Sequence, residues 1–214
     1  MKICAMSDLH GKILEVQIPK CDVLVVAGDL SMNGNAWWFL NFFVPVIKSR
    51  KSQFDKCIVV FGNHDDKIEL GDIYKEGIPD YIEILFGTGI KYKGKKFFGN
   101  PYCKSSPEII DSLFNREEEV LKGIYNEIPE DTDVLITHQP PYGYGDTVKN
   151  QSYHLGSESL MDRIRVVKPK VHIFGHIHTG KKYEENNGTK FYNVSVLDEY
   201  YNVAYKPTII NLGL

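Results

Sequence analysis

Apolar residues are concentrated along this chain in short runs, each of which ends abruptly at polar residues. Such runs are typical of strands that are buried on both faces, as in parallel sheets. They predict an α/β protein built around several strands. The five clearest runs are Lys2–Met6, Val23–Ala27, Ile58–Phe61, Val134–Ile136 and Val171–Phe174.

Longer segments with helical character lie between these runs. We predict helices over about 34–50, 107–128 and 157–168, the first of them rich in aromatic residues and interrupted by Pro45. Alternating residues on both sides of Lys93-Gly94 predict one hairpin. Asn186-Asn187-Gly188 predicts the turn of a second, which joins Lys182–Glu185 to Lys190–Val194. No repeat, low-complexity tract or linker interrupts the pattern, so we interpret residues 1–214 as a single domain.

Composition and charge narrow the function classes. A net charge of -3 and a pI near 6.2 offer no broad basic platform, which argues against a nucleic-acid partner. The apolar run Trp37–Val44 is far shorter than the ~20 residues of a membrane-spanning helix. No signal peptide is evident, and the four scattered cysteines fit reduced core thiols. We therefore expect a cytoplasmic location.

The polar residues that end the five runs hold five of the seven histidines. In open α/β sheets, ligands bind beyond the carboxyl ends of the strands, where these residues are predicted to lie. Carboxylate, imidazole and amide donors suit Mn²⁺, Fe, Zn²⁺, Co²⁺ or Ni²⁺, and two such ions about 3.5–4 Å apart can clamp a phosphoryl group. The residues concerned are Asp8, His10, Asp29, Asn63, His64, Asp65, His138, His176 and His178.

Five motifs formed by these residues resemble the signature blocks of the calcineurin-like metallophosphoesterases. They occur in the family's order and span residues 8 to 178: Asp8-x-His10, Gly28-Asp29, Gly62-Asn63-His64-Asp65, Thr137-His138 and Gly175-His176-x-His178. Flanking segments, such as Pro140-Pro141 and Pro169–Gly175, are similar to the small brain-type metallophosphodiesterases and their bacterial relatives. The resemblance implies a four-layer α/β/β/α sandwich of two mixed sheets. The strand pattern alone is also compatible with a single doubly wound sheet.

The resemblance also implies a role for each residue. Asp8, His10 and His178 would hold a first divalent ion, with Asp29 as the bridge to a second. Asn63, His138 and His176 would complete the second site, and Mn²⁺ is the metal we favour. His64 would face the phosphoryl group as a proton donor or stabilising cation. Asp65 would either orient His64 or cap a helix, two roles that the sequence does not separate.

The function implied is hydrolysis of a small phosphodiester by metal-activated hydroxide, with a cyclic nucleotide as the leading substrate. The main alternative is a phosphomonoesterase or phosphoprotein phosphatase, followed by a nuclease. Some members of this fold serve as non-catalytic scaffolds after losing ligands, but no ligand position is missing here.

Several residues near the motifs have more than one interpretation. The Trp37–Phe43 stretch is apolar all round, which indicates a contact between copies of the chain or a cover over the substrate cleft. His172 is expected to be a core residue, and His154 is more simply structural than substrate-binding. Tyr142 or Tyr144 would either stack on a base or belong to a rigid turn.

Overall fold

The computed structural model describes residues 1–68, 70–71, 73, 77–105, 113–148, 153–178 and 183–213, and most of its strands form two sheets. The first sheet contains β1 (Lys2–Met6), β2 (Val23–Ala27), β3 (Lys56–Val60), β4 (Ile82–Ile84) and β13 (Thr208–Asn211). Their order across the sheet is β13-β1-β2-β3-β4. Strands β1 to β4 are parallel, and β13 pairs antiparallel with β1.

The second sheet has six strands and is also mixed. It contains β5 (Thr88–Tyr92), β6 (Lys95–Asn100), β9 (Val134–Thr137), β10 (Val171–Phe174), β11 (Tyr183–Asn186) and β12 (Thr189–Asn193), in the order β11-β12-β10-β9-β6-β5. Strands β6, β9, β10 and β12 are parallel, whereas β5 and β11 pair antiparallel with their neighbours. Both predicted hairpins are confirmed, with turns at Lys93-Gly94 and Asn187-Gly188. Residue 182, where the second was predicted to begin, lies outside the described residues.

Helices cover the outer faces of both sheets. One helical segment consists of α1 (Ala36–Trp38), a π-helical turn (Phe39–Phe43) and α2 (Val44–Ser49). The other helices are α3 (Glu118–Asn126) and α4 (Glu158–Val167), which pack against each other. Ser157 caps α4 by accepting a hydrogen bond from the Leu160 N–H, as expected for a helix that begins at Ser-Glu.

The core confirms the four-layer arrangement, because alternate residues of each strand pack in different clusters. Between the sheets, one set of strand residues meets the other: Ile3, Ala5, Val25, Ile58 and Val60 with Phe97, Val134, Ile136, Val171 and Ile173. On the outer face of the first sheet, Cys4 and Val26 pack with Phe39 and Phe43 of the helix. Leu135 and Phe174 likewise pack with residues of α3 and α4 on the outer face of the second sheet.

Two helix predictions need correction. Helix α3 begins only at Glu118, since the preceding chain forms β8 (Asn115–Arg116), which pairs with β7 (Cys103–Lys104). Burial of Phe114 in the core fixes this segment outside the helix, and residues 107–112 of the prediction lie outside the described residues. Pro45 does not end its helix. Pro45 has no N–H to donate, and the turn before it is π-helical, with the Val44 N–H donating to the Phe39 carbonyl.

The aromatic stretch is divided between the core and the surface. Phe39 and Phe43 are fully buried, so they serve the outer layer of the first sheet. Trp37 is 70% exposed and does not line the cleft described below. Contact between copies of the chain therefore stays a prediction for Trp37, and the cover over the cleft receives no support. No helix among the described residues is long and apolar enough to cross a membrane.

Candidate metal centre

The polar residues that follow five parallel strands converge at one end of the two sheets. The Asp8 Oδ1 atom lies 3.2 Å from His178 Nε2 and 4.0 Å from His138 Nε2. The Asp29 Oδ2 atom lies 3.1 Å from His138 Nε2 and 3.6 Å from His10 Nε2. Strands of the first sheet therefore supply the carboxylates, and strands of the second sheet supply three of the imidazoles around them.

Within the described residues, three groups of side chains bring potential ligand atoms within 4.8 Å of one another. Asp8, His10 and His178 form one triad, and Asp29, His138 and His176 form another. The third group combines His10 and Asp29 with His64, which therefore lies beside the centre rather than remote from it. The first two triads match the division into two ion sites that the resemblance implied.

The backbone of the centre is held in a conformation that side chains rarely adopt. Four of the predicted ligands have positive φ angles: Asp8 (56°), His10 (41°), Asp29 (52°) and His176 (70°). Backbone conformations of this kind are uncommon outside glycine, and they persist only when the surrounding structure enforces them. Their concentration in one place indicates that the backbone after these strands orients the side chains toward the centre.

Glycines before three of the ligands allow the loops to approach closely. A Cβ atom at Gly28 would collide with the His138 ring, and one at Gly62 would collide with the Asp29 carboxylate. A Cβ atom at Gly175 would meet Ser7 Oγ and the Asp8 carboxylate. The glycine in each Gly-Asp, Gly-Asn and Gly-His motif is therefore required by packing against a ligand of another strand.

Hydrogen bonds orient the two carboxylates and His138. Ser7 Oγ donates to Asp8 Oδ2 (2.5 Å), and the His176 N–H donates to Asp8 Oδ1 (3.0 Å). His138 Nδ1 lies 2.9 Å from the Ala27 carbonyl oxygen, which can only accept, so Nδ1 carries the proton. In the neutral form of His138 the free electron pair is therefore on Nε2, the atom that faces the carboxylates.

Buried polar groups support the segment around His138 on the side away from the cleft. The Thr137 hydroxyl donates to the Gln139 carbonyl (2.6 Å) and lies 2.9 Å from His172 Nε2. His172 is fully buried, and burial lowers its pKa to about 3. Its location in the core agrees with the prediction, and it supports the ligand-bearing loop without facing the cleft.

The Asp65 carboxylate contacts backbone amides, including that of Gly62, the residue that precedes its own short helical turn. Its fully buried carboxylate accepts hydrogen bonds from the backbone N–H groups of Gly62, Leu30 and Ser31, at 3.0 to 3.1 Å. Burial and the nearby Asp29 charge raise its pKa to about 7, although the three amides favour the charged form. Asp65 therefore joins the loop after β2 to the loop after β3. These contacts favour a positioning role for Asp65 over the predicted catalytic one.

The His64 imidazole has a different neighbour. Its Nδ1 atom lies 3.2 Å from the Met32 carbonyl oxygen, which leaves Nε2 for other contacts, and its backbone N–H donates to Asp29 Oδ1 (2.9 Å). Asn63 is adjacent, and its buried carboxamide oxygen has no hydrogen-bond partner among the described residues.

A cleft of about 310 Å³ opens over the two triads. Its polar side is formed by predicted site residues, and its apolar side includes Val148 and Ile177. Glu199 and Tyr201 also line the cleft, but no motif predicted them, because they belong to a late loop that reaches the site only in the folded chain. The lining, within the described residues, includes no lysine or arginine: His10, Asp29, Asn63, His64, Val148, His176, Ile177, His178, Glu199 and Tyr201.

Residues 1–180 match the family model described as calcineurin-like phosphoesterase, and this match covers all five motifs. The chain belongs to this family. Members of the family carry divalent metal ions, so this phosphoesterase is a metal-dependent hydrolase.

Several proteins resemble this phosphoesterase over nearly its whole length. A UPF0046 protein of Caenorhabditis elegans is 28% identical, over 98% of this chain and 74% of its own. The human metallophosphoesterase domain-containing protein 1 is 27% identical, over 99% of this chain and 71% of its own. Among solved structures, TT1561 of Thermus thermophilus has a TM-score of 0.63 at 16% identity, covering 90% of this chain and 88% of its own. GAP50 of Plasmodium has a TM-score of 0.53 at 15% identity, over 92% and 71%. These structures share the fold.

The charge distribution of the phosphoesterase site suits cations. Burial opposes the negative charge of Asp29, but His138 and His10 outweigh that effect and lower the Asp29 pKa. Burial lowers the pKa of both His10 and His176 to about 4, so both imidazoles are neutral at pH 7 and able to act as ligands. Carboxylates together with imidazoles, of which His10 and His176 are already neutral, form a donor set typical of transition-metal ions.

Buried polar atoms without hydrogen-bond partners give an independent test of whether these residues fit divalent ions. His10 Nε2, His138 Nε2 and Asn63 Oδ1 are buried, and none has a hydrogen-bond partner among the described residues. Buried polar atoms without partners are costly and therefore rare. Of the eight such atoms in the described residues, four belong to the predicted ligands His10, Asn63 and His138. Divalent ions at this site would satisfy His10 Nε2, His138 Nε2 and Asn63 Oδ1.

Three residues considered in the sequence, His154, Tyr142 and Tyr144, have contacts away from the cleft. His154 Nδ1 lies 2.8 Å from Asp146 Oδ1, and the His154 ring packs against Tyr142, with centroids 4.6 Å apart. Tyr144 stacks on Phe191, with centroids 4.1 Å apart. Neither these tyrosines nor His154 lines the cleft, so the described contacts favour structural roles.

Proposed function

We propose that this phosphoesterase hydrolyses small phosphodiesters, with a cyclic nucleotide as the substrate to test first. The observation that supports a diester is the lining of the cleft, which includes Glu199 and, in the described part of the chain, neither lysine nor arginine. A monoester brings a second negative charge, which the Glu199 carboxylate disfavours. A diester brings only one.

The proposed ligand assignment follows the two triads. Asp8, His10 and His178 would hold one divalent ion, and His138, His176 and Asn63 would hold the other. Asp29 would contact both, since it belongs to groups containing His10 as well as His138. We favour Mn²⁺ because oxygen and nitrogen donors suit it, with Fe, Zn²⁺, Co²⁺ and Ni²⁺ as alternatives. When bound, the two ions would lower the pKa of water and neutralise charge on the phosphoryl oxygens.

His64 is the residue of this chain that we assign to proton transfer. Its Nδ1 contacts the Met32 carbonyl, so the ring is fixed with Nε2 as the atom available to the cleft. A proton held at Nε2 would pass to the leaving oxygen as the ester bond breaks. Its backbone N–H holds Asp29 in place, which couples the position of the imidazole to that of the proposed bridge.

The proposed function is tested by matched substrates. Protein treated with a strong chelator and then reloaded with Mn²⁺ is assayed on cyclic adenosine monophosphate, bis(4-nitrophenyl) phosphate and 4-nitrophenyl phosphate. We expect activity to disappear with the metal and to return on loading, and we expect a higher kcat/KM for the aryl diester than for the matching monoester. A marked preference for the monoester would favour the alternative phosphomonoesterase. Full turnover by metal-free protein would refute both.

The four cysteines are buried and form no disulfide, which agrees with a reducing compartment such as the cytoplasm. We propose that location for the enzyme. Fractionation of the native cells with antibody detection tests it directly.

A further inference from the structure

A tyrosine that no motif predicts lies over the first triad. The Tyr201 ring centroid is 4.9 Å from that of His10 and 5.0 Å from that of His178, and both arrangements are edge to face. Tyr201 lines the cleft and is 39% exposed. Part of its ring therefore borders the space in which a substrate would bind.

The loop around Tyr201 enforces an unfavourable backbone conformation. Tyr201 has a φ of 61°, which is rare for a bulky side chain. The Asp198 carboxylate accepts from the Tyr200 N–H (2.9 Å) and the Asn202 N–H (2.8 Å), and the Tyr201 N–H donates to the Asp198 carbonyl (3.0 Å). Lys12 Nζ then donates to the Tyr201 carbonyl (2.6 Å). These bonds fix the residue from both sides.

The other non-glycine residues with positive φ show where such backbone strain occurs in this protein. Of the eight non-glycine residues with positive φ in the described part of the chain, four are the predicted ligands above. Lys93 and Asn187 occupy hairpin turns, and Lys168 ends α4. Tyr201 also lies in a turn, but asparagine or glycine would be less strained there. Strain at a functional site indicates that the side chain is retained for what it contacts.

The composition of the cleft indicates what the ring contacts. A phosphoryl group requires only the ligand side of the cleft, where the carboxylates and imidazoles are. Val148, Ile177 and Tyr201 give the same cleft an apolar side that a phosphoryl group does not use. An aromatic ring with an exposed portion is suited to a flat apolar group, because stacked rings attract each other and exclude water.

We propose that Tyr201 is a specificity-determining residue that holds a planar aromatic group of the substrate, either a nucleobase or an aryl ester. The inference rests on the proposed phosphodiesterase function and specifies the organic part of its substrate. The aromatic ring, not the hydroxyl group, makes the contact.

Equilibrium binding tests this inference without turnover. Adenosine 5′-monophosphate, phenyl phosphate and inorganic phosphate are titrated into the Mn²⁺-loaded protein by calorimetry. Stacking on an aromatic side chain typically changes binding by about 10- to 100-fold. We expect both aromatic ligands to bind tighter than phosphate by about that factor. A preference limited to the nucleotide would identify a base, and a shared preference would identify any aromatic group.

Three variants locate the contact. Tyr201→Asn removes the ring but tolerates the left-handed backbone, so the preference should be lost while phosphate affinity and metal content stay unchanged. Tyr201→Phe should keep the preference. Tyr200→Ala is the matched control, because Tyr200 is 76% exposed and does not line the cleft. It should behave as the unchanged protein.

Two results would overturn the inference. Full retention of the preference for aromatic ligands by Tyr201→Asn would place their contact elsewhere. Equal weakening of phosphate and nucleotide binding in that variant, or release of an ion, would make the ring a support for His10 and His178. Absence of diester hydrolysis by the unchanged protein would instead refute the proposed function, and the binding measurements would still stand.

Discussion

At the scale of single residues, His64 offers the clearest separation of binding from chemistry. His64→Ala keeps the backbone N–H that donates to Asp29 and removes only the imidazole. We expect two ions per chain to remain and kcat to fall by about 10²–10⁴-fold, the usual contribution of a general acid. The loss should be larger for an alkoxide leaving group than for nitrophenolate, which leaves without a proton.

Metal analysis and rates on two diesters with different leaving groups measure this effect. His154→Ala is a suitable control, because its imidazole contacts Asp146 and does not line the cleft. An equal loss on both diesters, accompanied by a missing ion, would show that His64 is a ligand.

Asp29 and His176 differ in the number of ions that each is proposed to contact. Asp29→Asn keeps the shape of the side chain but removes its charge, so we expect weak binding of both ions and the lowest activity among the single ligand variants. His176→Ala should empty one site and leave close to one ion per chain. Metal content after dialysis distinguishes the two variants. Two tightly bound ions and normal rates in Asp29→Asn would exclude the bridge.

At the scale of elements, the glycine before Asp29 makes a packing prediction. Gly28 has a φ of 92°, and a Cβ atom there would strike the His138 ring. We expect Gly28→Ala to lose metal affinity and activity by at least tenfold, because either His138 or the loop must move. Gly94→Ala is the matched control, since Gly94 has a φ of 79° with nothing within 4 Å of the new atom.

The control isolates the conformational cost of a side chain at positive φ, about 1–2 kcal/mol of unfolding free energy. Chemical denaturation of both variants, together with their metal content, gives the comparison. Similar metal affinity in the two variants would show that close packing at Gly28 does not govern the site.

The strands were predictable because their burial leaves a simple signature. Runs such as Val23–Ala27 are apolar at every position, and the first polar residue after each run lies at the strand end where the site forms. Because both residues follow such a run, the sequence alone predicted that Asp29 and His138 lie near each other. Their division between two sheets was implied only by the family resemblance.

Other features depend on contacts between distant segments, which no local pattern reveals. Helix α3 starts later than predicted because Phe114 is drawn into the core. The role of Asp65 is set by amides of Leu30 and Ser31, more than thirty residues away along the chain. Tyr201 reaches the cleft through a loop held by Lys12, so its sequence neighbours carry no sign of the site.

At the scale of the whole molecule, metal binding should be linked to protons and stability. Burial opposes the positive charge of His138, but the carboxylates of Asp29 and Asp8 outweigh it and raise its pKa to about 9 in the metal-free protein. A metal ligand must be neutral, so binding at His138 displaces a proton. Metal affinity should therefore increase as the pH rises toward 9.

The stability of the metal-free protein should change with pH in the opposite direction to the metal affinity. A histidine whose pKa is raised by folding stabilises the fold fully below its ordinary value of 6.5, and this contribution is lost as the pH rises through about 9. Between those values, Tm of the metal-free protein should fall, while the increase in Tm on adding Mn²⁺ should grow. Calorimetry in buffers of different ionisation enthalpy counts the protons released. Absence of proton release at pH 7 would contradict the raised pKa.

The origin of the ligands in two separate sheets has a mechanical consequence. Asp8 and Asp29 follow strands of the first sheet, whereas His138, His176 and His178 follow strands of the second. Ions held by this set would cross-link the two sheets at their common end. A free-ion concentration of 100 times Kd would add about 2.7 kcal/mol per ion to the free energy of unfolding. Backbone amides in both sheets would then exchange their hydrogens through one shared opening with a higher free energy, because neither sheet opens without first releasing the ions.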